Sequence, residues 1–401
     1  MSKMAGSLIF YLTFVIFLTA EATDLKLEQV LVLSRHNIRT PLTAQLESTS
    51  PHIWPKWEYD VGHLTKKGAL LERYMGEYLA GWLSERGLLL DCPQPENLLI
   101  YANTKQRTRL SASSFVEGAF PNCNVTVHSI QSDDMDPVFN PILRPTSEEM
   151  LQKIENEMLQ KINELELNDA YVELNEILNL KHSDKCKVEA FCNFLDGKDK
   201  ILLLNGEEPN VVGPLAISNN AMDAFIMSYY EGMDDKDVAW GKIRTPEQWS
   251  LLTRIIKENQ NVRFNSSTLA KVVAKPLLEY IRNVFSADTL RNVTILFGHD
   301  SNLNSVMAAL GFKYFELPNQ YEATPPGGKI IFQKWRDQEG GQNLLKINFI
   351  YQSTDQIRNA TRLTTSNPPQ WVQLELRDCG VDERGFCPWE KFKKILSALE
   401  L

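Results

Sequence analysis

The feature that most constrains the fold of this chain is a set of three short apolar runs, each followed by ionisable side chains. The runs are residues 27–34 (LEQVLVLS), 98–102 (LLIYA) and 293–297 (VTILF). The side chains that follow them are Arg35 and His36, then Arg107, then His299 and Asp300. Branched apolar runs of this kind are typical of strands buried in a parallel sheet. Because ligands bind outside the carboxyl ends of such strands, we expect these side chains to meet at one edge of a sheet.

Helical patterns lie between the apolar runs. Apolar residues recur with helical spacing over 65–87, and a second helix is expected over about 108–118. Further strand patterns occur at 329–335, 344–351 and 371–376. Strands that alternate with helices predict an α/β fold.

Residues 135–262 have a different character. Charged, leucine-spaced helical patterns cover 148–180 and 219–232, and no convincing strand lies between them. We therefore predict a mostly helical insertion, the α-domain, within an α/β domain formed by residues 23–134 and 263–401.

The N-terminus is typical of a signal peptide. Lys3 precedes an apolar run over 8–18, and small residues then offer a cleavage site that ends at Ala22. A membrane anchor is the alternative, but the run is shorter than the roughly 20 apolar residues of a spanning helix. Residues 1–22 are therefore predicted to direct export and to be removed, which leaves no membrane attachment.

Six cysteines agree with export into an oxidising compartment. Pairing in sequence order is the simplest of fifteen connectivities, and reduced thiols are the alternative. The predicted pairs are Cys92 with Cys123, Cys186 with Cys192, and Cys379 with Cys387. A metal site is not expected, because the chain has no Cys-x-x-Cys and its six histidines form no ligand-spaced pair.

The overall charge excludes nonspecific anion binding. The chain carries 42 Lys and Arg against 51 Asp and Glu, a formal net charge of -9. Such a chain has no general attraction for nucleic acid or an anionic membrane surface. Affinity for an anion must therefore come from a local cluster of arginines.

Residues 35–41 (RHNIRTP) supply part of such a cluster. Arg35 and Arg39 flank His36, and the guanidinium fork can bond two phosphate oxygens at once. Neighbouring arginines disfavour the cationic imidazole, so His36 is expected to be neutral and nucleophilic. A core histidine is the alternative, but burying a histidine between two arginines for packing alone is costly.

Two further strand ends complete the predicted site. Arg107 brings another positive charge, although a solvated surface arginine is an equal alternative. His299 can donate to a phosphoryl oxygen, and Asp300 can protonate a departing alkoxide. The same pair could also form the N-terminal cap of a helix, which is compatible with catalysis.

Three of these motifs resemble the histidine acid phosphatases. RHNIRTP resembles the family signature Arg-His-x-x-Arg-x-Pro, GHDS (298–301) resembles the distal His-Asp motif, and NTKQRT (103–108) resembles the segment with the third phosphate-binding arginine. The similarity extends over almost the whole chain after residue 22. It implies a phosphoglycerate-mutase-like α/β domain with an α-domain, and an active site between them.

The resemblance also implies roles for individual residues. His36 would become phosphohistidine, Asp300 would be the proton donor, and Glu231 matches the family position that contacts the sugar. Four further side chains would bind the phosphoryl oxygens: Arg35, Arg39, Arg107 and His299. The expected partner is a small phosphate monoester, with no metal or other cofactor.

Asn37 distinguishes branches of the family. Most members have glycine after the nucleophile, whereas asparagine is found in the branch that hydrolyses glucose 1-phosphate in the bacterial periplasm. Its side chain is expected to narrow the pocket. We therefore predict a periplasmic phosphatase for glucose 1-phosphate. The alternatives are a phytase-like inositol-phosphate phosphatase, a phosphotransferase, and a non-catalytic sugar-phosphate binding protein.

Overall fold

A computed structural model describes residues 25–43, 45–89, 92–286 and 291–399. The predicted signal peptide, residues 1–22, lies outside them. Within the described ranges, no helix combines the length and apolarity needed to cross a bilayer.

Two sheets contain all ten strands of the described residues. The strands are β1 (Leu25–Arg35), β2 (Leu98–Ala102), β3 (Val127–His128), β4 (Lys200–Leu202), β5 (Asn210–Val212), β6 (Val293–Gly298), β7 (Lys329–Asp337), β8 (Asn343–Tyr351), β9 (Gln370–Leu374) and β10 (Cys387–Pro388). The large sheet has the order β10-β8-β7-β1-β6-β2-β3, and β9 also pairs with β8. Strands β4 and β5 form a separate antiparallel pair.

The centre of the large sheet is parallel, as the three apolar runs predict. β1 and β2 both lie parallel to β6, one on each side of it. Gly298 pairs with Arg35, and Phe297 pairs with Ala102, so the carboxyl ends of the three strands are level. The other neighbour of β1 is the antiparallel β7, which makes the sheet mixed.

Eleven α-helices surround and extend the sheet in the described ranges. They are α1 (Lys66–Glu85), α2 (Gln106–Ala119), α3 (Glu148–Asn163), α4 (Asn168–Leu178), α5 (Asp184–Glu189), α6 (Pro214–Glu231), α7 (Pro246–Phe264), α8 (Ser267–Ser286), α9 (Asp300–Leu310), α10 (Thr354–Arg358) and α11 (Trp389–Ser397). Local sequence explains several of the starts. The Thr65 hydroxyl accepts a hydrogen bond from the Gly68 backbone N–H at the start of α1, and Thr245 and Gln248 form a capping box at α7.

Hydrophobic residues of the strands alternate between the two faces of the sheet. Leu31 and Leu33 of β1 pack into the core that α8, α9 and α11 cover. Val30 and Val32 pack into the opposite core, against α1 and α2. A third core lies mainly among α3, α4, α6 and α7, with the first half of α8, and it also includes Ile38, Leu71 and Ile357. The buried side chains of the mostly helical region therefore gather in one core, which residues outside 135–262 also join.

The prediction that this region contains no strand is wrong. The hairpin of β4 and β5 lies between α5 and α6, and the predicted helix over 148–180 is divided into α3 and α4. Each strand of the hairpin has only three residues, which is too short to produce a recognisable alternation. Apart from this hairpin, the regular secondary structure of residues 135–262 is helical.

The three predicted disulfides are all present. Cys92 pairs with Cys123, Cys186 with Cys192, and Cys379 with Cys387, and none of the six cysteines is free. Their Cα–Cα distances of 5.3, 4.4 and 5.7 Å lie within the usual range for a disulfide.

Candidate active site

The carboxyl ends of β1, β2 and β6 bring two histidines together. His36 follows β1 and His299 follows β6, and their ring centroids are 5.4 Å apart. Both side chains are almost completely buried. The sequence-based prediction that these residues share one edge of the sheet is confirmed.

Three of the other predicted residues lie against this pair. Arg107, in the first turn of α2, places Nη2 3.4 Å from Nδ1 of His299. Arg35, at the end of β1, places Nη2 3.3 Å from Oδ2 of Asp300. Asp300 is the first residue of α9, and its side chain is 24% exposed whereas that of Arg35 is 2% exposed. The carboxyl group of Asp300 is therefore the more accessible partner.

The hydrogen bond of the His36 ring fixes the tautomer that the ring has when it is neutral. Nδ1 lies 2.8 Å from the backbone carbonyl oxygen of Asn37. A carbonyl oxygen can only accept, so Nδ1 must carry the proton and donate it. In the neutral ring Nε2 then has a free lone pair, which is the form that a nucleophile needs.

The surroundings of His36 keep the ring neutral. Burial lowers its pKa well below the ordinary value, and the positive charge of Arg107 lowers it further. His299, Arg35 and Arg39 act in the same direction. His36 therefore keeps its lone pair in acid solution, where a free histidine would be protonated.

Three arginines at the site each have a donor group that makes no hydrogen bond within the described ranges. Arg39 forms a bidentate pair with Asp223, with both N–O distances 2.9 Å. Arg35 donates to Glu322 over 3.1 Å and to the Thr324 carbonyl. The Nε atoms of these two arginines and of Arg107 are buried without a hydrogen bond partner in the described part of the chain. Burial lowers the pKa of Arg107 to about 10, and the charge of Arg39 adds to that effect.

The charge state of Asp300 reflects two opposed effects. Burial on its own raises the pKa of the carboxyl group, but Arg35, Arg39 and His299 more than offset this, and the net pKa is below its ordinary value. The carboxyl group is therefore ionised before a ligand is bound. Any proton that it donates must be acquired together with the substrate.

Two acidic residues at this site had no signal in the sequence. Asp223 of α6 and Glu322, which lies before β7, pair with Arg39 and Arg35 respectively. No motif surrounds either residue, and only the tertiary structure brings them to the arginines.

Glu231, the last residue of α6, has different neighbours from Asp223 in the middle of that helix. Its Oε2 accepts a hydrogen bond of 2.7 Å from the Thr65 hydroxyl, and Lys67 lies near it. None of the contacts that the structure gives Glu231 joins it to the histidines or arginines of the site. Its predicted contact with a sugar stays a prediction.

The expectation that Asn37 narrows the pocket is wrong. The side chain is 1% exposed and donates from Nδ2 to Oε2 of Glu72 over 2.9 Å. It also packs closely against Gly327, where an added Cβ would lie 2.4 Å from Asn37 Nδ2. The Asn37 amide is therefore engaged with Glu72, which in turn pairs with the buried Lys329.

The site offers no metal-binding arrangement. No group of three or more His, Cys, Asp or Glu side chains is placed to hold a metal ion in the described ranges. The cationic side chains and the neutral His36 suit an anion that is attacked by nitrogen. A phosphoryl group matches that combination.

Comparisons with known proteins agree with this chemistry. Residues 26–194 and 229–352 match the model of the histidine phosphatase superfamily (branch 2). The chain is 42% identical to a glucose-1-phosphatase of Providencia rettgeri over 95% of this chain and 94% of that protein. It is 28% identical to the phytase AppA of Escherichia coli over 98% of both chains. The crystal structure of the Citrobacter braakii phytase superposes with a TM-score of 0.85 at 26% identity, covering 94% of this chain and 98% of that one.

Proposed function

Because the chain belongs to branch 2 of the histidine phosphatase superfamily and is a phosphatase, we propose that it is an exported enzyme that hydrolyses glucose 1-phosphate through a phosphohistidine. The observation that carries this proposal is the free lone pair on Nε2 of His36 beside three buried guanidinium groups. The preference for glucose 1-phosphate rests on the relatives that are 42% identical.

In the first step His36 replaces the sugar on phosphorus. Nε2 attacks the phosphorus atom, a P–N bond forms, and the P–O bond to the sugar breaks. Arg35, Arg39 and Arg107 stabilise the charge that the equatorial oxygens carry in the transition state. Asp300 gives its proton to the departing oxygen, so the sugar leaves as an alcohol.

In the second step water takes the place of the sugar. The Asp300 carboxylate, which has just lost its proton, accepts one from the attacking water. The P–N bond then breaks, and orthophosphate and neutral His36 are released. Asp300 is ready for this role, because the arginines favour its ionised form in the absence of substrate.

The compartment and the domain division are also proposals. Three disulfides favour an oxidising compartment, and we assign the chain to the periplasm with cleavage after Ala22. Protein recovered from a periplasmic fraction should begin at Thr23. We further assign residues 135–262 to an α-domain, whose Asp223 pairs with Arg39 of the catalytic domain.

A phytase-like activity is the second candidate. The fold similarity to phytases favours it, with a TM-score of 0.85 for the Citrobacter braakii enzyme. Values of kcat/KM for glucose 1-phosphate, myo-inositol hexakisphosphate and p-nitrophenyl phosphate, measured in EDTA, separate the candidates. We expect kcat/KM for glucose 1-phosphate to exceed that for the inositol phosphate at least about tenfold, a difference of about 1.4 kcal/mol or more. The reverse order would make the protein a phytase, and no turnover of any of the three would reject the enzyme.

A further inference from the structure

We propose that Asn103 is a positioning residue that keeps the proton of the neutral His299 ring on Nδ1, so that this ring acts as a hydrogen bond donor to the phosphoryl group. The inference rests on the proposed phosphatase function, since it assigns a donor to that reaction. Asn103 directly follows β2 and is completely buried. Its Nδ2 lies 2.7 Å from Nε2 of His299.

The orientation of the Asn103 amide is fixed by its other contacts. Oδ1 accepts from the backbone N–H of Thr104 over 2.7 Å and from the backbone N–H of Asp136 over 3.0 Å. Both partners are obligatory donors, so the atom that faces them must be the oxygen. The amino group must therefore face His299, because rotating the amide by 180° would bring two backbone N–H groups against an NH₂.

The amide orientation determines the protonation of the ring. An NH₂ group can only donate, so Nε2 of His299 has to accept and cannot carry a proton. The proton of the neutral ring is then on Nδ1. The Arg107 Nη2 atom lies 3.4 Å from this Nδ1. A guanidinium can only donate, so a hydrogen bond between the two would need an unprotonated Nδ1, but the contact is longer than the usual range of about 2.7–3.2 Å. The 2.7 Å contact with Asn103 therefore decides the tautomer, and Arg107 Nη2 and His299 Nδ1 are both donors. Two adjacent donors without an acceptor between them are suited to share a phosphoryl oxygen.

The charges around His299 come from every side of the site and mostly disfavour a cationic ring. The groups that face it are Arg107 from α2, Arg39 and Arg35 from the end of β1, His36, and Asp300 of its own helix. Burial is the largest cause of the lowered pKa of His299, and Arg107 is the next; Asp300 alone opposes them. The Asn103 amino group also disfavours the cationic ring, because a cationic ring would carry a proton on Nε2 that faces this amino group.

The two histidines then have complementary roles with the same tautomer. His36 donates from Nδ1 to the Asn37 carbonyl and keeps a lone pair on Nε2 for attack. His299 accepts at Nε2 and keeps an N–H on Nδ1 for the substrate. An aspartate at position 103 would have nearly the same shape, but it would reverse the polarity of this hydrogen bond.

The direct test is nitrogen NMR of the intact enzyme labelled with ¹⁵N-histidine, between about pH 4 and pH 8. The chain has six histidines, so the His299 signals are assigned as those that disappear in His299→Asn. We expect a protonated Nδ1 and an unprotonated Nε2 at every pH. A proton on Nε2, or a cationic ring at about pH 6, would overturn the inference even if the enzyme is fully active.

Asn103→Asp gives a second readout. The carboxylate and the ring should together hold one additional proton at low pH, which retains the Nδ1–H. When that proton is lost, the carboxylate draws the remaining ring proton to Nε2, and the donor to the substrate disappears. We expect near-normal kcat/KM at the acid end and a loss of about 10²–10³-fold at the alkaline end, relative to the wild type at the same pH.

Asn302→Ala is the matched control. Asn302 is also buried, but its Oδ1 accepts from the backbone N–H of His299 and does not contact the ring. This variant should lower the melting temperature and leave the tautomer and the shape of the pH profile unchanged. If Asn103→Asp reduces kcat/KM equally at all pH values, Asn103 has a merely structural role and the inference fails. Absence of turnover in the wild type would instead reject the proposed function, whatever the tautomer.

Discussion

Two buried polar clusters lie on opposite sides of the end of β1, and they differ in how completely they are hydrogen-bonded. The phosphate cluster comprises Arg35, Arg39, Arg107, His36, His299 and Asp300. The Nε atoms of its three arginines have no hydrogen bond partner among the described residues. The Lys329 cluster comprises Lys329, Glu72, Asn37 and Ser34. Nζ of Lys329 donates to Glu72, Ser34 and the Gly327 carbonyl, over 2.5, 2.8 and 3.0 Å.

This difference in hydrogen bonding suggests that the Lys329 cluster contributes to stability and the phosphate cluster to ligand binding. All three protons of the Lys329 ammonium are used, and Oε2 of Glu72 accepts from Asn37. A fully paired cluster of this kind stabilises the loop that carries His36 and leaves nothing for a ligand. The phosphate cluster keeps donors unpaired in the interior, which is unfavourable until an anion arrives.

The largest expected effect is at Asp300. Asp300→Asn cannot transfer a proton, so it should reduce turnover of glucose 1-phosphate by about 10²–10⁴-fold. p-Nitrophenyl phosphate should be affected much less, because its phenolate leaves without protonation. Burst kinetics on both substrates measure the first step separately. Equal losses before the burst would assign the proton to another group.

A loss of stability is expected when the Lys329 cluster loses its ammonium group. Lys329→Met leaves Glu72 buried without a counter-charge, and removing one partner of a buried pair costs about 3–5 kcal/mol. Urea unfolding measures the change. The double variant Lys329→Met with Glu72→Leu should regain most of it, since an apolar pair of similar volume can replace a buried ion pair. A double variant as unstable as the single one would contradict this account.

Arg107→Gln is the matched substitution in the phosphate cluster. Its guanidinium is disfavoured by burial and by the charge of Arg39. Its removal should therefore increase the free energy of unfolding, by roughly 0.5–2 kcal/mol, while kcat/KM falls. If Arg107→Gln is destabilising to the same extent as Lys329→Met, the two clusters do not differ as proposed.

A smaller effect is expected at Glu231. If this carboxylate contacts the sugar, Glu231→Ala should reduce kcat/KM for glucose 1-phosphate about tenfold more than for p-nitrophenyl phosphate, the value of one hydrogen bond. Thr65→Val is the control, because it removes the hydrogen bond between Thr65 and Glu231 and leaves the carboxylate in place. Equal losses on both substrates in both variants would make Glu231 a structural residue of the α1 terminus.

The last expected effect is the pH dependence of kcat/KM, which over one pH unit equals the effect expected at Glu231. The arginines hold the pKa of Asp300 below its ordinary value in the free enzyme, so the proton has to arrive on the substrate monoanion. kcat/KM should therefore fall about tenfold per pH unit above about pH 6, the second pKa of a phosphate monoester. The pH at which kcat/KM begins to fall should change when a substrate with a different second pKa is used. A fall that begins near pH 4, with every substrate, would show that Asp300 keeps its own proton.

The sequence was sufficient to predict the residues of the phosphate cluster but not their partners. Arg35, His36, His299 and Asp300 could be placed because each follows an apolar run, and parallel strands end at a common edge. Asp223 and Glu322 are 184 and 287 residues away from the arginines that they pair with, and nothing local indicates those contacts.

Side-chain direction was the second property that the sequence could not determine. Asn37 follows the nucleophile, and its motif position favoured a place in the pocket. The backbone turn after β1 instead directs its amide to Glu72, and this depends on Gly327, which has a φ of +70° and no side chain. The sequence therefore predicts which segments meet, whereas the loop geometry decides which face each side chain takes.

The most direct test of the account is to trap the enzyme during turnover of glucose 1-phosphate and locate the phosphoryl group. The reaction is quenched in alkali, because phosphohistidine is labile in acid, and the peptides are mapped by mass spectrometry. We expect phosphate on Nε2 of His36, since Nδ1 is engaged with the Asn37 carbonyl, and none in His36→Ala. Phosphate on His299, or turnover by His36→Ala, would contradict it.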